Sequence, residues 1–178
     1  MIYNIITIPA VTTMKRLDHE KSRTINYSAD IPTLEAYYDR QFDLIKKGNT
    51  DLVTLELVML GRALDFIRFS KKKLGIALDN SEVSIDAFEE VVDAIDRGVV
   101  QDELFSEDSG NIAKSMSAYL GLLIIANVGG KWSDTENGVA VNVNGKDAYV
   151  YEYIEKRLLG ASGVNAVSYY RSVKTAQQ

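Results

Sequence analysis

Residues 117–171 read SAYLGLLIIANVGGKWSDTENGVAVNVNGKDAYVYEYIEKRLLGASGVNAVSYYR. An apolar run from Ala118 to Val128 stops at Gly129-Gly130, just ahead of Trp132, and the period then changes. Val139, Val141 and Val143 alternate with polar neighbours, Asn144-Gly145 follows, and Ala148 to Tyr151 returns. A segment apolar nearly all round, here Ile112 to Val128, calls for a buried helix. Alternation by two on either side of Asn-Gly predicts a hairpin closed by a two-residue type I′ turn. A last helical region, broken around Gly160 to Gly163, ends near Tyr169 and Tyr170.

Upstream the text is mainly helical. Ser109 is placed to cap the buried helix, after an acidic loop from Asp102 to Asp108. Before that loop, Ser81 suits the cap of a helix in which Val83, Ala87, Val91, Ala94 and Ile95 oppose Asp86, Glu89, Glu90, Asp93 and Asp96, with Gly98 as its stop. Asn49 or Thr50 can cap a helix running to Leu74 and ended by Gly75. Its apolar residues cover so much of the circumference that it should be central, with a narrow outer stripe of Thr54, Gly61, Asp65, Arg68 and Lys72. A first helix opens near Asp30 to Thr33, where Pro32 suits a first turn, places Leu34, Tyr37, Tyr38, Leu44 and Ile45 on one face, and ends at Gly48-Asn49. Ile2 to Ile8 reads as a strand, and Thr12 to Ser28 as an irregular arm or short helix. The expected fold class is α+β: a helical bundle with a small antiparallel sheet built on the C-terminal hairpin. One domain is expected over 1–178, as a mainly helical part (1–110) and a helix-hairpin-helix part (111–178), because no Ser/Gly/Pro-rich linker divides the chain.

Composition narrows the function classes. The 178 residues are 46% hydrophobic and carry a net charge of −5, which disfavours non-specific nucleic-acid binding and suits a basic protein partner. No cysteine is present, so disulfides, thiolate zinc sites and cysteine nucleophiles are excluded. The N-terminal residues lack a basic region ahead of their apolar run, and Ala118 to Val128 is about half the roughly 20 residues a spanning helix needs. A cytoplasmic protein without a membrane segment or cofactor is expected.

Candidate chemistry is sparse. At 100 degrees per residue Glu56 falls within the apolar face of the second helix, beside Leu52, Met59, Leu60 and Ala63. A carboxylate buried there needs a partner or a proton, and Lys114, on the otherwise apolar fourth helix, is a candidate cation, with Arg40 or a tyrosine hydroxyl as others. Glu56 is either a structural pair or a general acid or base in an interhelical pocket. His19, the single histidine, sits in polar text and reads as solvated. Asp102, Glu103, Glu107 and Asp108 lack the spacing of a calcium loop, and Arg68 with Lys71 to Lys73 complements a helix C-terminus. Gly129-Gly130 follows a helix and precedes a strand, the reverse of a phosphate-binding loop. Trp132, Tyr149 and Tyr151, with Tyr153, are the candidate binding surface, Tyr149 and Tyr151 sharing one strand face; the competing reading, that these aromatics are core, weighs more because large aromatics bury well.

Ala118-Tyr119-Leu120-Gly121, Gly129-Gly130-Lys131-Trp132, Gly138-Val139, Ile154-Glu155-Lys156-Arg157-Leu158 and Ser168-Tyr169-Tyr170 resemble, over about residues 117–171, an uncharacterised bacterial domain family with the order helix, glycine turn, tryptophan, hairpin, helix. The resemblance implies a bacterial source and a small α+β module, and it assigns no activity or site residue. The function expected from the residues is a non-catalytic protein-binding or regulatory module, in one form an immunity-like protein that neutralises a basic toxin. The alternatives are a hydrolase or small-molecule-binding protein that uses Glu56, and a homo-oligomeric structural subunit.

Overall fold

The computed structural model describes residues 25–98, 109–160 and 163–176. The expected strand at Ile2–Ile8, His19 with most of the arm, and the acidic loop Asp102–Asp108 lie outside the described residues. Among the described residues six α-helices and one three-stranded antiparallel sheet make an α+β architecture.

Helix α1, Ile31–Lys46, starts where the Asp30 carboxylate accepts from Thr33 N at 2.8 Å, with proline in its first turn. Helix α2, Leu55–Phe69, is capped four or five residues later than the expected Thr50 or Asn49. Thr50–Leu52 form a single 3-10 turn, Val53 is extended, and the cap is Thr54, whose hydroxyl accepts from Leu57 N at 3.2 Å. The chain continues through a π turn, Ser70–Leu74, and stops at Gly75 with φ 72°. Gly61, expected on the solvent stripe, is buried against the Tyr38 ring of α1.

Helix α3, Ser84–Asp96, opens after Ser81 rather than being capped by it. Ser81 instead turns back to the Asp79 carboxylate, and Val83, expected on the apolar face, is 77% exposed because it precedes the helix. Ser84 is the residue drawn inward. Asp79 N–H donates to Ser84 Oγ (3.0 Å), Ser84 Oγ lies 2.8 Å from Tyr119 Oη, and Tyr119 Oη donates to the Asp79 carbonyl (2.6 Å). The ring closes only if the Ser84 hydroxyl donates to Tyr119, so every buried polar atom in it is satisfied.

Helix α4, Ser109–Asn127, runs alongside α2 through the centre of the molecule, as its all-round apolarity requires. It ends at Gly129 and Gly130, both at positive φ; a Cβ on Gly130 would stand 2.4 Å from the Asn142 carbonyl, so only glycine lets the chain turn into the sheet here. Strands β1 (Lys131–Thr135), β2 (Gly138–Val143) and β3 (Lys146–Ala148) pair in that order, with Trp132 opposite Val141 and Val143 opposite Lys146. The Asn144-Gly145 turn carries positive φ at both residues, as a type I′ turn demands.

Two expectations about the hairpin are corrected. It has a further strand, β1, and its return is short: β3 ends at Ala148 and helix α5, Val150–Leu158, begins two residues on. Tyr149 precedes that helix and Tyr151 belongs to it, so they share no strand face. Helix α6, Ala166–Thr175, follows the break at Gly160, capped by the Asn165 side chain on Ser168 N at 2.8 Å. Buried residues from Ile25 to Tyr170 form one contiguous core, including Ile25 and Tyr27 of the irregular arm.

Candidate functional site

A groove of about 490 Å³ lies between β3, α5 and α6. One wall is Lys146, Asp147 and Ala148 of the strand; the other is Ser172, Val173 and Ala176 at the end of α6; Tyr149, Glu152, Tyr153, Lys156 and Tyr169 supply the rest. Tyr153 and Tyr169 stack with ring centroids 4.1 Å apart and planes 12° apart, and the Tyr153 hydroxyl donates to the Val164 carbonyl at 3.1 Å. Burial pushes the Tyr169 hydroxyl up to about 12, with the Glu152 carboxylate adding to the shift, and burial together with Glu89 carries Tyr153 higher still. These hydroxyls act as neutral hydrogen-bonding groups on an aromatic surface.

Among the described residues the β3 wall is an open edge of the sheet. In a hairpin closed by a two-residue turn the flanking pair, Val143 and Lys146, exchanges both hydrogen bonds. The next residue, Asp147, therefore points its backbone N–H and C=O away from β2, along the rim of the groove. Lys146 Nζ crosses to the Ala176 carbonyl at 2.9 Å and links the strand to the end of α6.

The α6 wall is positioned by charge. Arg157 of α5 reaches α3, with Nη2 2.6 Å from Asp93 and 3.4 Å from Glu89 and Nη1 3.1 Å from Asp96. The other oxygen of Glu89 accepts from Ala166 N at the start of α6, where a carboxylate also meets the positive end of the helix dipole. Lys174 donates to Glu82 near the other end. Arg157 and Glu89 are 16% and 15% exposed, so this pair is shielded more than an ordinary surface ion pair.

The residues singled out from the sequence disperse. Glu56 is half-buried in the first turn of α2, where negative charge complements the dipole, and it does not line the groove. Starting the helix at Leu55 takes it out of the middle of an apolar face and puts it at a helix end. Lys114 and Arg40 are exposed, and among the described residues neither forms an ion pair with Glu56; of the expected partners it is a tyrosine hydroxyl that reaches this residue, Tyr27 Oη donating to the Glu56 backbone carbonyl at 3.3 Å. Trp132 is core, 2% exposed and packed on Gly121 of α4. Its indole N–H lies near enough to Tyr27 to influence that hydroxyl, yet makes no hydrogen bond of normal geometry. Tyr149 lines the groove, its hydroxyl 3.5 Å from Thr135 Oγ1, whereas Tyr151 packs half-buried against the core and is not part of the groove.

Tyr153 was visible in the sequence as an aromatic of the hairpin region, but its partner Tyr169 and the α6 wall were not, because they meet only through the packing of two helices. Among the described residues no cluster of acidic or histidine side chains could hold a metal ion, and no helix is long and apolar enough to cross a membrane. No protein family, curated protein or solved structure matches the chain.

Proposed function

We propose that this chain is a protein-binding module that seats an extended peptide segment of a partner in the groove between β3, α5 and α6. The observation that carries this reading is the open strand edge at Asp147 running beside the stacked Tyr153 and Tyr169. An added strand gains main-chain hydrogen bonds from such an edge, and the adjoining pocket selects its side chains. The groove volume also falls in the range of pockets that take a few side chains or a small ligand.

Neutralisation of a basic partner by the acidic surface is the second reading, favoured by the net charge of −5 and the exposed Asp86 and Glu90 of α3. It is the weaker of the two, since Glu89, Asp93 and Asp96 of the same helix are already engaged by Arg157.

The test is selection of a random displayed-peptide library on the full chain and on Ser172→Trp. This variant fills the groove from an exposed position and leaves the core untouched. Peptides enriched on the wild type should be lost on Ser172→Trp. Enrichment of the same pool on both, or of none above a bait-free control, refutes the groove as the binding surface.

A further inference from the structure

We infer that the segment bound in this groove carries a carboxylate at the Lys146 end and, two residues away, an aromatic or branched apolar side chain set against Tyr153 and Tyr169. This rests on the peptide-binding reading and specifies the chemistry of the peptide.

Four charged side chains rim the groove, and three are satisfied locally. Lys156 donates to Glu152 one turn earlier in α5, and the Asp147 carboxylate accepts from Asn142 Nδ2 at 2.7 Å. The fourth, Lys146, donates to a neutral group, the Ala176 carbonyl, and no carboxylate of the described residues pairs with it. An ammonium has three protons to donate. One is used, and the remainder stand at the place where β3 approaches the end of α6. A carboxylate is the peptide group that complements this position, through a charge-assisted hydrogen bond.

Register sets the second feature. Lys146 and Ala148 lie on the same face of β3 as their partners Val143 and Val141, both buried. A strand paired through the outward N–H and C=O of Asp147 would present alternate side chains to that face, about 6.6 Å apart. With one of them at Lys146, the next falls over the apolar part of the groove formed by Val173 and the stacked tyrosines. The motif expected is therefore acidic residue, any residue, aromatic or branched residue, in either chain direction.

The test uses peptides from the selection above, in paired versions with Asp or Glu replaced by Asn or Gln, titrated by fluorescence anisotropy into the wild type, Lys146→Gln and Lys146→Arg. Both substitutions leave a group able to donate to the Ala176 carbonyl, and Trp132 fluorescence reports that the fold is intact. Neutralising the peptide should weaken binding to the wild type about tenfold. Lys146→Gln should weaken the acidic peptide to a similar degree and leave its neutral analogue unchanged, while Lys146→Arg retains the preference. In ¹⁵N spectra the Asp147 amide should move on binding. Equal affinity of acidic and neutral peptides, or an equal loss of both on Lys146→Gln, overturns this inference while binding that Ser172→Trp abolishes leaves the groove reading standing. If no peptide is enriched, both fall.

Discussion

Replacing Gly121 by alanine places a methyl carbon inside the Trp132 indole. A Cβ built on Gly121 stands 2.0 Å from Trp132 Cη2, 2.5 Å from Cζ2 and 2.9 Å from Cζ3. Ordinary contact begins at 3.4 Å, so the closest approach falls short by about 1.4 Å, far up the repulsive wall of the contact potential. The indole has nowhere to swing, being 2% exposed and held opposite Val141 in the sheet. Overpacking of this kind costs about 1–3 kcal/mol, and the gain from alanine over glycine inside a helix offsets at most about 1 kcal/mol. With the overlap at the severe end, the net loss should be about 2 kcal/mol. For a urea m-value of about 2 kcal/mol/M that lowers the midpoint by about 1 M. Trp132 is the sole tryptophan, so its fluorescence follows the region directly, with far-UV circular dichroism as a second probe. Gly61→Ala is the comparison: its Cβ would meet Tyr38 Cε2 at 2.6 Å, but that ring is half-buried and can move outward, so the loss should be smaller. In a Trp132→Leu background the obstacle is gone and Gly121→Ala should become neutral or favourable, with a coupling energy of about 2 kcal/mol. A Gly121→Ala protein as stable as the wild type, or more stable, would refute the packing of the sheet on α4 described here.

Arg157→Met should destabilise the protein by about 2 kcal/mol in urea titration, since it leaves Glu89 shielded beside the α6 N-terminus without its cation. Amide exchange in α6 should accelerate more than in α2, and unchanged α6 protection would contradict the role given to the charge network. Alkaline pH should unfold the chain cooperatively. Burial raises the hydroxyls of Tyr169 and Tyr170 from the ordinary 10.0 to about 12, and lifts Tyr27, Tyr119 and Tyr153 further. Unfolded tyrosines lose their protons first, so this contribution to stability is intact below pH 10 and is lost as pH rises through about 12. Tyrosinate absorbance should therefore show a fraction that ionises only together with the loss of circular dichroism; all ten tyrosines titrating near 10 with the fold intact would contradict the burial.

Much of the fold was legible in local text. The all-round apolarity of α4, its glycine stop, the Asn144-Gly145 turn and the start of α1 near Asp30 to Thr33 with Pro32 in its first turn each depend on residues within a few positions of one another, and each is observed. Errors arose where two local signals competed. Asn49, Thr50 and Thr54 can all cap a helix, and the extended Val53 leaves that role to Thr54, which removes Leu52 from the helix and puts Glu56 in its first turn, at the end of the face it shares with Met59, Leu60 and Ala63. Val150 fits a strand by its β-branched side chain, but it is the first residue of α5 and is packed in the core.

The sequence by itself determined the class of fold, the central position of α2 and α4, and the exclusion of cysteine chemistry, because periodicity, turn residues and composition act over short spans. Tertiary structure alone decided the groove. Tyr153 and Tyr169 sit on different helices, Lys146 meets Ala176 across a gap of thirty residues, and Arg157 reaches back to α3. Such pairs carry no mark in the residues that surround them. They exist because burying one shared core brings the end of α6 against the edge of the sheet.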